Sequence, residues 1–329
     1  MPESSSLRLR VAVTWAALLA WLLVSSSIQA QTLAKPLQLR LGSWNIEHLG
    51  DPGARRGTGE GVLQQPQDLA RYIRYANVDI LALQEIVADD DAPEGYPKKY
   101  RTNSILTKTF AELSKTGGQA WKHILFPKMR AADTTQWVGV AWNSTKVRQT
   151  GPIYQVPVSH ARTSQDSNRW DRNLHALMFS AGKDLTDIVM LPIHLKANAS
   201  ASFAGHRGEE IDEFVKHLPD LHKAFPGEKD FIVLGDTNIQ DAGEPAVKAF
   251  EQASFVDLNK LDLDSHTAKG IQPFDRIFVP KGQPEFARSN QEVLAAFQKK
   301  QNLSFAEFRA RYSDHYIAVT SILVMPDDD

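Results

Sequence analysis

Polar side chains end several short apolar runs of this sequence, and they are of the types that hold divalent cations or move protons. Asn45, Glu85, His194, Asp236 and Asn238 each stand at or just past the end of such a run. Carboxylate and amide oxygens are the ligands that hard cations prefer, and a positioned imidazole or carboxylate can act as an acid or a base. Together these residue types suit chemistry on a substrate bound beside a metal ion.

Three further residues, Asp275, Asp314 and His315, stand before apolar runs rather than after them. If the strands that follow them run antiparallel to the others, their beginnings lie beside the ends of the other strands. Both sets of residues can then meet at one rim of the sheets. A single carboxylate at a strand end is more often a turn or a helix cap, so the prediction depends on the whole combination.

Eight apolar runs rich in β-branched residues are the predicted strands. They span Leu37–Ile46, Val78–Ile86, Trp137–Trp142, Leu174–Phe179, Asp187–Leu195, Phe231–Leu234, Arg276–Val279 and Tyr316–Val324. Helical patterns lie between several of them, at Asp68–Tyr75, Glu209–Phe225 and Pro245–Ala253, and a helical insertion is predicted over Gln291–Tyr312. Mixed strands and helices indicate an α/β protein.

The first residues have the layout of a secretory signal peptide. Arg8 and Arg10 precede an apolar run from Val11 to Val24, and small and polar residues follow as far as Ala30. This run is shorter than the roughly 20 apolar residues that a spanning helix needs, although a retained anchor stays an alternative. We expect cleavage after Ala30, a secreted or periplasmic protein, and a single catalytic domain over residues 31–329.

Composition limits the classes of function. The chain has no cysteine, which excludes disulfides, thiolate metal sites and a cysteine nucleophile. Of its 37 basic and 39 acidic residues, cleavage after Ala30 removes Arg8, Arg10 and Glu3, so the mature chain has a formal charge of −3. A non-catalytic nucleic-acid binder would carry a basic excess to neutralise phosphates. A mildly acidic chain therefore favours catalysis over simple binding.

Five segments in a fixed order carry a resemblance to a known family. They are Ser43-Trp-Asn45, Val78-Asp-Ile-Leu-Ala-Leu-Gln-Glu85, Asp230-Phe-Ile-Val-Leu-Gly-Asp-Thr-Asn238, Phe274-Asp-Arg-Ile277 and Ser313-Asp-His315. From Leu37 to Val324 the chain resembles the endonuclease/exonuclease/phosphatase family, which includes pancreatic-type deoxyribonuclease, abasic-site endonucleases, inositol polyphosphate phosphatases and bacterial sphingomyelinases. The resemblance implies a four-layer α/β sandwich of two packed mixed β-sheets flanked by helices, and cleavage of phosphoesters with Mg²⁺ or Mn²⁺.

The resemblance also implies which residues hold the metal. Asn45 and Glu85 match the metal-site pair of the family, and Asp314 matches the carboxylate of an alternative metal position. Mg²⁺ takes oxygen ligands and keeps several waters, so one or two carboxylates, an amide and a substrate phosphate are enough to bind it.

Five catalytic roles follow from the same matches. Asp236 and Asn238 occupy the positions that handle the nucleophilic water and the phosphate, and Asp275 matches the acid that pairs with a histidine, here His315. His194 resembles the second histidine of the deoxyribonucleases. A carboxylate bonded to an imidazole fixes its tautomer, which gives Asp275 a physical role. Which of Asp236, His194 and His315 is the base and which the acid stays open.

Signals for substrate contacts are weaker. Arg172, within Asp171-Arg-Asn-Leu174, resembles a phosphate-contacting arginine, and Lys196 lies two residues beyond His194. The glycine-rich segment from Gly53 to Gly61 lacks the strand-to-helix spacing of a phosphate-binding loop, so we expect an exposed, flexible loop. Arg207, near a predicted helix start, is expected to face solvent.

The leading functional hypothesis is an exported Mg²⁺-dependent phosphodiesterase, an endonuclease-type nuclease that hydrolyses DNA or RNA. The alternatives are a phosphomonoesterase of small phosphorylated molecules, a sphingomyelinase-like phospholipase, and a non-enzymatic binding or toxin-like module on the same fold. A binding module has no need of so many acids together with two histidines. We expect nucleic acid as the substrate, a monomer without an obligate protein partner, and no membrane contact after signal cleavage.

Overall fold

A computed structural model describes residues 37–115, 118–128, 134–159, 170–197, 201–268 and 270–328. The predicted signal peptide and its cleavage site lie outside these residues. Within the described ranges, no helix combines the length and the apolar character that a membrane span requires.

In the described residues, twelve strands form two mixed sheets of six strands each. The strands are Gln38–Leu49 (β1), Ile80–Ile86 (β2), Trp121–Phe126 (β3), Trp137–Asn143 (β4), Arg148–Gln155 (β5), His175–Ser180 (β6), Asp187–His194 (β7), Phe231–Asp236 (β8), Phe255–Asp257 (β9), Asp275–Pro280 (β10), Glu292–Val293 (β11) and Ala318–Leu323 (β12). The first sheet has the order β11-β12-β1-β2-β4-β3, and the second has the order β5-β6-β7-β8-β10-β9.

Seven α-helices are found in the described residues, and two 3₁₀ turns accompany them at Gly57–Gly59 and Pro284–Phe286. The helices are Pro66–Ala76 (α1), Ser104–Ser114 (α2), Ala201–Lys216 (α3), Leu218–Ala224 (α4), Pro245–Gln252 (α5), Ala296–Lys300 (α6) and Phe305–Arg311 (α7). Local signals explain their ends: Asn103 caps α2 by accepting from two backbone amides, and Ser304 with Glu307 forms a capping box at the start of α7.

Three apolar cores separate four layers. Side chains alternate across each strand, so Phe231 and Val233 of β8 pack towards α3 and α5, while Ile232 and Leu234 pack between the sheets. A third core, around Tyr72, lies between the first sheet and the helices α1, α2, α6 and α7. The order of layers is helices, sheet, sheet and helices, which is the predicted α/β sandwich.

The predicted strands and their directions are confirmed. Each of the eight apolar runs overlaps a strand, β10 runs antiparallel to β8, and β12 runs antiparallel to β1. The strands β3, β5, β9 and β11 and the helix α2 were not predicted. β5 contains Gly151 and Pro152 and has an irregular register, as edge strands often do, so its apolar pattern is weak.

Two helical predictions need correction. The helix predicted over Glu209–Phe225 begins earlier and is two helices, because Pro219 in the first turn of α4 has no N–H to continue the hydrogen bonds of α3. The insertion predicted over Gln291–Tyr312 is only partly helical. It begins with β11, which pairs with β12, and continues as the short helices α6 and α7.

Candidate active site

The two sheets meet at one rim, and the predicted site residues converge there. Asn45 and Glu85 lie in the carboxyl-terminal halves of β1 and β2, and His194 and Asp236 end β7 and β8. Asn45 Nδ2 donates a hydrogen bond to Asp236 Oδ2 at 2.9 Å, and both side chains are buried. This bond joins the first sheet to the second directly at the site.

Register places His194 beside Asp236. The strands β7 and β8 are parallel, with His194 opposite Asp236 and Ile193 opposite Gly235, and His194 Nε2 lies 3.4 Å from Asp236 Oδ2. A Cβ atom on Gly235 would lie only 1.9 Å from the carbonyl oxygen of Ile193. The glycine before Asp236 therefore allows the close approach of the two strands that carry these side chains.

His315 reaches the same carboxylate from the other side of the site. Asp275, the first residue of β10, is opposite Asp236 in the antiparallel register, and its Oδ2 lies 2.7 Å from His315 Nδ1. That contact fixes the ring and directs Nε2 towards Asp236 Oδ2, at 3.8 Å. Two imidazoles thus approach one carboxylate oxygen.

Several residues around the site have left-handed backbone conformations. Glu85 has φ of 61°, His48 has φ of 52° and Asn238 has φ of 52°. The pairing of β2 with β4 shifts register between Leu83 and Ile86, which is the irregularity of a β-bulge at Glu85. Such conformations cost about 1 to 3 kcal/mol each and occur most often where function requires a particular side-chain direction.

The two histidines differ in protonation. Burial, together with the charges of Arg172 and His315, holds the pKa of His194 well below its usual value. Burial alone would also lower the pKa of His315, but the carboxylates of Asp275 and Asp236 outweigh it and hold that pKa well above the usual value. At neutral pH His194 is a neutral imidazole and His315 is an imidazolium.

The acids of the site also differ. Burial raises the pKa of Asp236 against the opposing charge of His315. Burial would raise the pKa of Asp314 as well, but a hydrogen bond from His266 and the charges of His315 and Arg309 hold that pKa below the usual value. Asp314 therefore stays ionised among its cationic neighbours.

One group of candidate donors contains a carboxylate, Glu85, that suits a divalent cation. Ligand atoms of Glu85, His194 and Asp236 lie within 4.8 Å of one another. The oxygens of Glu85 lie 3.5 Å from His48 Nε2 and 3.8 Å from His194 Nε2. In the described ranges no lysine or arginine pairs with Glu85, so no fixed cation neutralises it. A carboxylate without a permanent counter-charge, next to a second carboxylate, suits Mg²⁺ or Mn²⁺.

A second group, His266, Asp314 and His315, fits a cation less well. The amide of Ala268 donates to His266 Nδ1 at 3.0 Å, so in the neutral ring the hydrogen is on Nε2. That Nε2 lies 3.5 Å from Asp314 Oδ2, with its N–H as the donor. The protonated Nε2 therefore has no lone pair for a metal. Arg309 Nη2 approaches the same oxygen at 3.6 Å. The metal role predicted for Asp314 stays a prediction.

The predicted phosphate contacts lie near His194 but already have partners. Arg172 donates to Gln136 Oε1 at 3.0 Å, and Lys196 Nζ donates to Asp171 Oδ1 at 2.8 Å. Both side chains are mostly buried, with 11% and 8% exposed. A substrate phosphate would have to share these cations.

Asn238 belongs to the same network. Its backbone N–H donates to Asp236 Oδ1 at 3.0 Å, and its side-chain Nδ2 donates to the backbone carbonyl of Leu195 at 3.1 Å. Asn238 thus links the loops that follow β7 and β8.

Arg207 does not face solvent, contrary to the expectation. It is fully buried and donates to both oxygens of the Glu244 carboxylate, from Nε and Nη2 to Oε2 and from Nη2 to Oε1. Oε1 of Glu244 also accepts from the backbone amide of Gln240. A buried arginine needs such a bidentate partner.

Two residues near the site were not predicted. His48 lies three residues beyond Asn45, and its amide donates to Glu85 Oε2 at 3.3 Å. Its position just past the run that ends at Ile46 was a usable signal. His266 lies in a loop, and only its bridge to His315 brings it to the site, so no local pattern indicates it.

Comparisons with known proteins agree with this geometry. The model of the endonuclease/exonuclease/phosphatase family matches residues 42–315. No curated protein matches the chain. Among solved structures, the catalytic domain of human nocturnin with a bound sulfate anion is 16% identical, with a TM-score of 0.56 over 88% of this chain and 97% of that one.

Two further solved structures share the fold. A humanised TDP2 from D. rerio is 15% identical, with a TM-score of 0.51 over 87% of this chain and 98% of its own. A family member from Bacteroides thetaiotaomicron is 15% identical, with a TM-score of 0.55 over 90% of this chain and 99% of its own. The chain belongs to the endonuclease/exonuclease/phosphatase family, a family of metal-dependent phosphoric ester hydrolases.

Proposed function

We propose that this protein is an exported, Mg²⁺-dependent phosphodiesterase of the endonuclease type that hydrolyses DNA or RNA. The observation that carries the proposal is the pair of histidines at one oxygen of Asp236, His194 Nε2 at 3.4 Å and His315 Nε2 at 3.8 Å. One ring is neutral and the other is charged. Two groups whose environments push their pKa values apart are suited to act as base and acid in one reaction.

Glu85 and Asn45 are the residues that would hold the cation. Glu85 lacks a fixed counter-charge, and Asn45 is fixed by its bond to Asp236 and by the amide of Glu47, which donates to Asn45 Oδ1 at 3.0 Å. When bound, a divalent cation polarises the phosphate and offsets the negative charge that develops on its oxygens.

Proton transfers follow from the two protonation states. The neutral imidazole of His194 accepts a proton from the attacking water as the new P–O bond forms. The imidazolium of His315 donates its proton to the leaving ester oxygen as the old P–O bond breaks. Asp275 keeps His315 charged and oriented before the reaction, through the contact of 2.7 Å at Nδ1. Solvent returns both rings to their initial states.

A nucleic-acid substrate is supported by the cations beside His194. Arg172 is close enough to lower the pKa of His194, and Lys196 lies two residues further along the chain. In a polynucleotide the phosphates that flank the scissile one need such contacts. Export is proposed from the signal-type sequence over residues 1–30, and the mature protein would begin at Gln31.

A substrate panel tests the proposal. Plasmid DNA, RNA, aryl phosphate monoesters and diesters, inositol phosphates and sphingomyelin are assayed with Mg²⁺ and with EDTA. We expect DNA or RNA to be cleaved, and only with the metal. Preference for monoesters or inositol phosphates would identify a small-molecule phosphatase, and preference for sphingomyelin would identify a phospholipase. Full activity in EDTA would exclude the metal-dependent mechanism.

Glu85→Gln is the variant that tests the metal site. The amide keeps the shape of the side chain and removes its charge, so the Mg²⁺ concentration needed for half-maximal rate should rise. The matched control is Glu209→Gln, because Glu209 is exposed on α3. An unchanged Mg²⁺ titration in Glu85→Gln would remove Glu85 from the metal site.

A further inference from the structure

Arg55 lies in the glycine-rich segment that the sequence predicted to be exposed, and it is fully buried. Its guanidinium donates to four acceptors. Nη1 bonds the carbonyl oxygens of Val62 at 2.9 Å and Ala310 at 3.2 Å, and Nη2 bonds Glu47 Oε2 at 3.0 Å and the carbonyl oxygen of Arg309. The side chain therefore ties three segments together: its own loop, the end of β1, and α7.

The local sequence makes room for this side chain. Gly59 is buried, and a Cβ atom there would lie 2.8 Å from Arg55 Nε and 2.9 Å from Arg55 Cζ. Any side chain at position 59 would therefore displace the guanidinium. The glycine leaves the space that the arginine occupies. Most of the segment is exposed, as predicted, but its two buried residues, Arg55 and Gly59, anchor it to the fold.

Glu47 connects Arg55 to the end of β1. Its side chain is almost fully buried, with Oε2 bonded by Arg55 and Oε1 bonded by Arg309 Nε at 2.8 Å. Two guanidinium groups thus occupy both oxygens, so Glu47, unlike Glu85, is not free to bind a cation. Its amide donates to Asn45 Oδ1, so the residue that Arg55 holds is itself bonded to a candidate metal ligand.

The opposite side of the site is tied to the same cluster. Arg309 Nη2 lies 3.6 Å from Asp314 Oδ2, and Ser313 Oγ donates to the carbonyl of Asn45 at 2.7 Å. Gln64, buried in the same loop, donates from Nε2 to the carbonyl oxygens of Glu47 at 3.2 Å and Tyr312 at 3.3 Å. The segment that leads to Asp314 and His315 is therefore bonded to the end of β1 through this loop.

We propose that Arg55 is a positioning residue of the active site, which fixes Asn45 relative to Asp314 and His315 without touching substrate. This inference rests on the proposed metal-dependent function. Arg55 suits the role because its planar guanidinium offers several donors in a fixed geometry, which a lysine cannot reproduce. In this proposal, α7 supplies two of the acceptors of Arg55, the carbonyl oxygens of Arg309 and Ala310.

The test measures Mn²⁺ binding by the full mature chain without substrate, using electron paramagnetic resonance of free Mn²⁺. Arg55→Lys keeps the positive charge but loses the planar set of guanidinium donors. Gly59→Ala keeps Arg55 but displaces its guanidinium. Residues that orient metal ligands cost about 10 to 100 fold in metal affinity when they are changed, and we expect a loss in that range for both variants. Gly59→Ala stands in if Arg55→Lys does not fold.

Matched controls come from the same loop. Arg56 is exposed and bonds only the carbonyl of Gly53 in the described structure, and a Cβ atom on Gly53 would meet only Asp51 Oδ1 at 3.5 Å. Arg56→Ala and Gly53→Ala should therefore bind Mn²⁺ like the unmodified protein. Melting temperatures are recorded for all variants in EDTA.

The outcomes separate the inference from the proposed function. Lower melting temperatures with unchanged Mn²⁺ affinity in both Arg55→Lys and Gly59→Ala would overturn the positioning role and leave Arg55 as a structural residue. Glu85→Gln is measured in parallel. If Glu85→Gln also leaves Mn²⁺ binding unchanged, the metal site itself is wrong; if only Glu85→Gln weakens binding, the inference about Arg55 alone fails.

Discussion

His194, the last residue of β7, and His315, three residues before β12, approach the same oxygen of Asp236. In the described structure, only His315 has a carboxylate bonded to its other nitrogen. This difference, together with the charge of Arg172 near His194, separates their chemistry. A buried imidazole loses its proton because the charged form is poorly solvated, unless a nearby carboxylate compensates. Asp275 supplies that compensation to His315 and not to His194.

His315→Ala should lower kcat by about 10² to 10⁴ fold, the usual contribution of a positioned acid or base. Asp275→Asn should have a similar effect, and the double variant should cost little more than either single one, because residues that act as a unit are non-additive. Kinetics and melting curves of the three variants check this. Losses that multiply would contradict the pairing, and a lowered melting temperature with normal kcat would make His315 a packing residue.

The pH dependence of kcat/KM should follow the two pKa shifts. The rate rises with pH as His194 loses its proton, at a pH below its ordinary 6.5 because that pKa is lowered. The rate falls as His315 loses its proton, at a pH above 6.5 because that pKa is raised. The profile should therefore have a broad plateau around neutral pH. Asp275→Asn should move the alkaline limb to lower pH, and an unmoved limb would assign it to another group.

At the level of elements, the site depends on how helix α3 holds the segment after β7. Glu210 of α3 accepts a hydrogen bond from the amide of Lys196, two residues beyond His194, at 3.1 Å. Burial raises the pKa of Glu210 to about 8, against the bond from that amide. Glu210 is thus mainly protonated in the folded protein at neutral pH, and its ionisation opposes folding.

Glu210→Gln should change how stability depends on pH. The pKa of Glu210 in the folded protein lies above its ordinary value of 4.5. The contribution of protonated Glu210 to the free energy of unfolding is therefore complete below pH 4.5 and is lost as pH rises through about 8. By linkage, a pKa moved from 4.5 to about 8 corresponds to a loss on the order of 5 kcal/mol. Denaturant unfolding at several pH values should show Glu210→Gln with a flatter dependence and greater stability than the unmodified protein at pH 9. The exposed Glu209→Gln is the control, and identical slopes in both variants would contradict the burial effect.

For the whole molecule, a formal net charge of −2, or −3 without the proposed signal peptide, limits how a polyanion can bind. Attraction cannot come from the net charge, so it must come from a few local cations and the metal. Lys196 and Arg172 are already partnered by Asp171 and Gln136, which makes their contribution modest.

The affinity for DNA should therefore fall only modestly with salt concentration, because few counterions are released on binding. Lys196→Ala and Arg172→Ala should each reduce the slope of log K against log salt by about 1, as expected for one lost phosphate contact. Lys98→Ala, which changes an exposed lysine, should leave the slope unchanged. The slopes are measured by fluorescence anisotropy with Ca²⁺ in place of Mg²⁺. Unaltered slopes in both site variants would favour a small-molecule phosphatase.

The sequence by itself determined which residues stand at strand ends. Apolar runs with period-2 burial place Asn45, Glu85, His194 and Asp236 at one edge because the carboxyl ends of parallel strands coincide. It also placed Asp275 at the start of a strand that would bring it to the same rim if it ran antiparallel, and the antiparallel register with Asp236 confirms that direction. These features are local and depend only on chain direction and side-chain alternation.

Only the tertiary structure decided how the two sheets meet and what surrounds each charge. The bond from Asn45 to Asp236 crosses 191 positions of sequence, and the bond from Arg55 to Ala310 crosses 255. Neither has a local pattern, since both depend on the packing of sheets and loops far apart in the chain. The opposite pKa shifts of His194 and His315 have the same origin, because burial and neighbouring charge are properties of the folded molecule and not of the residue type.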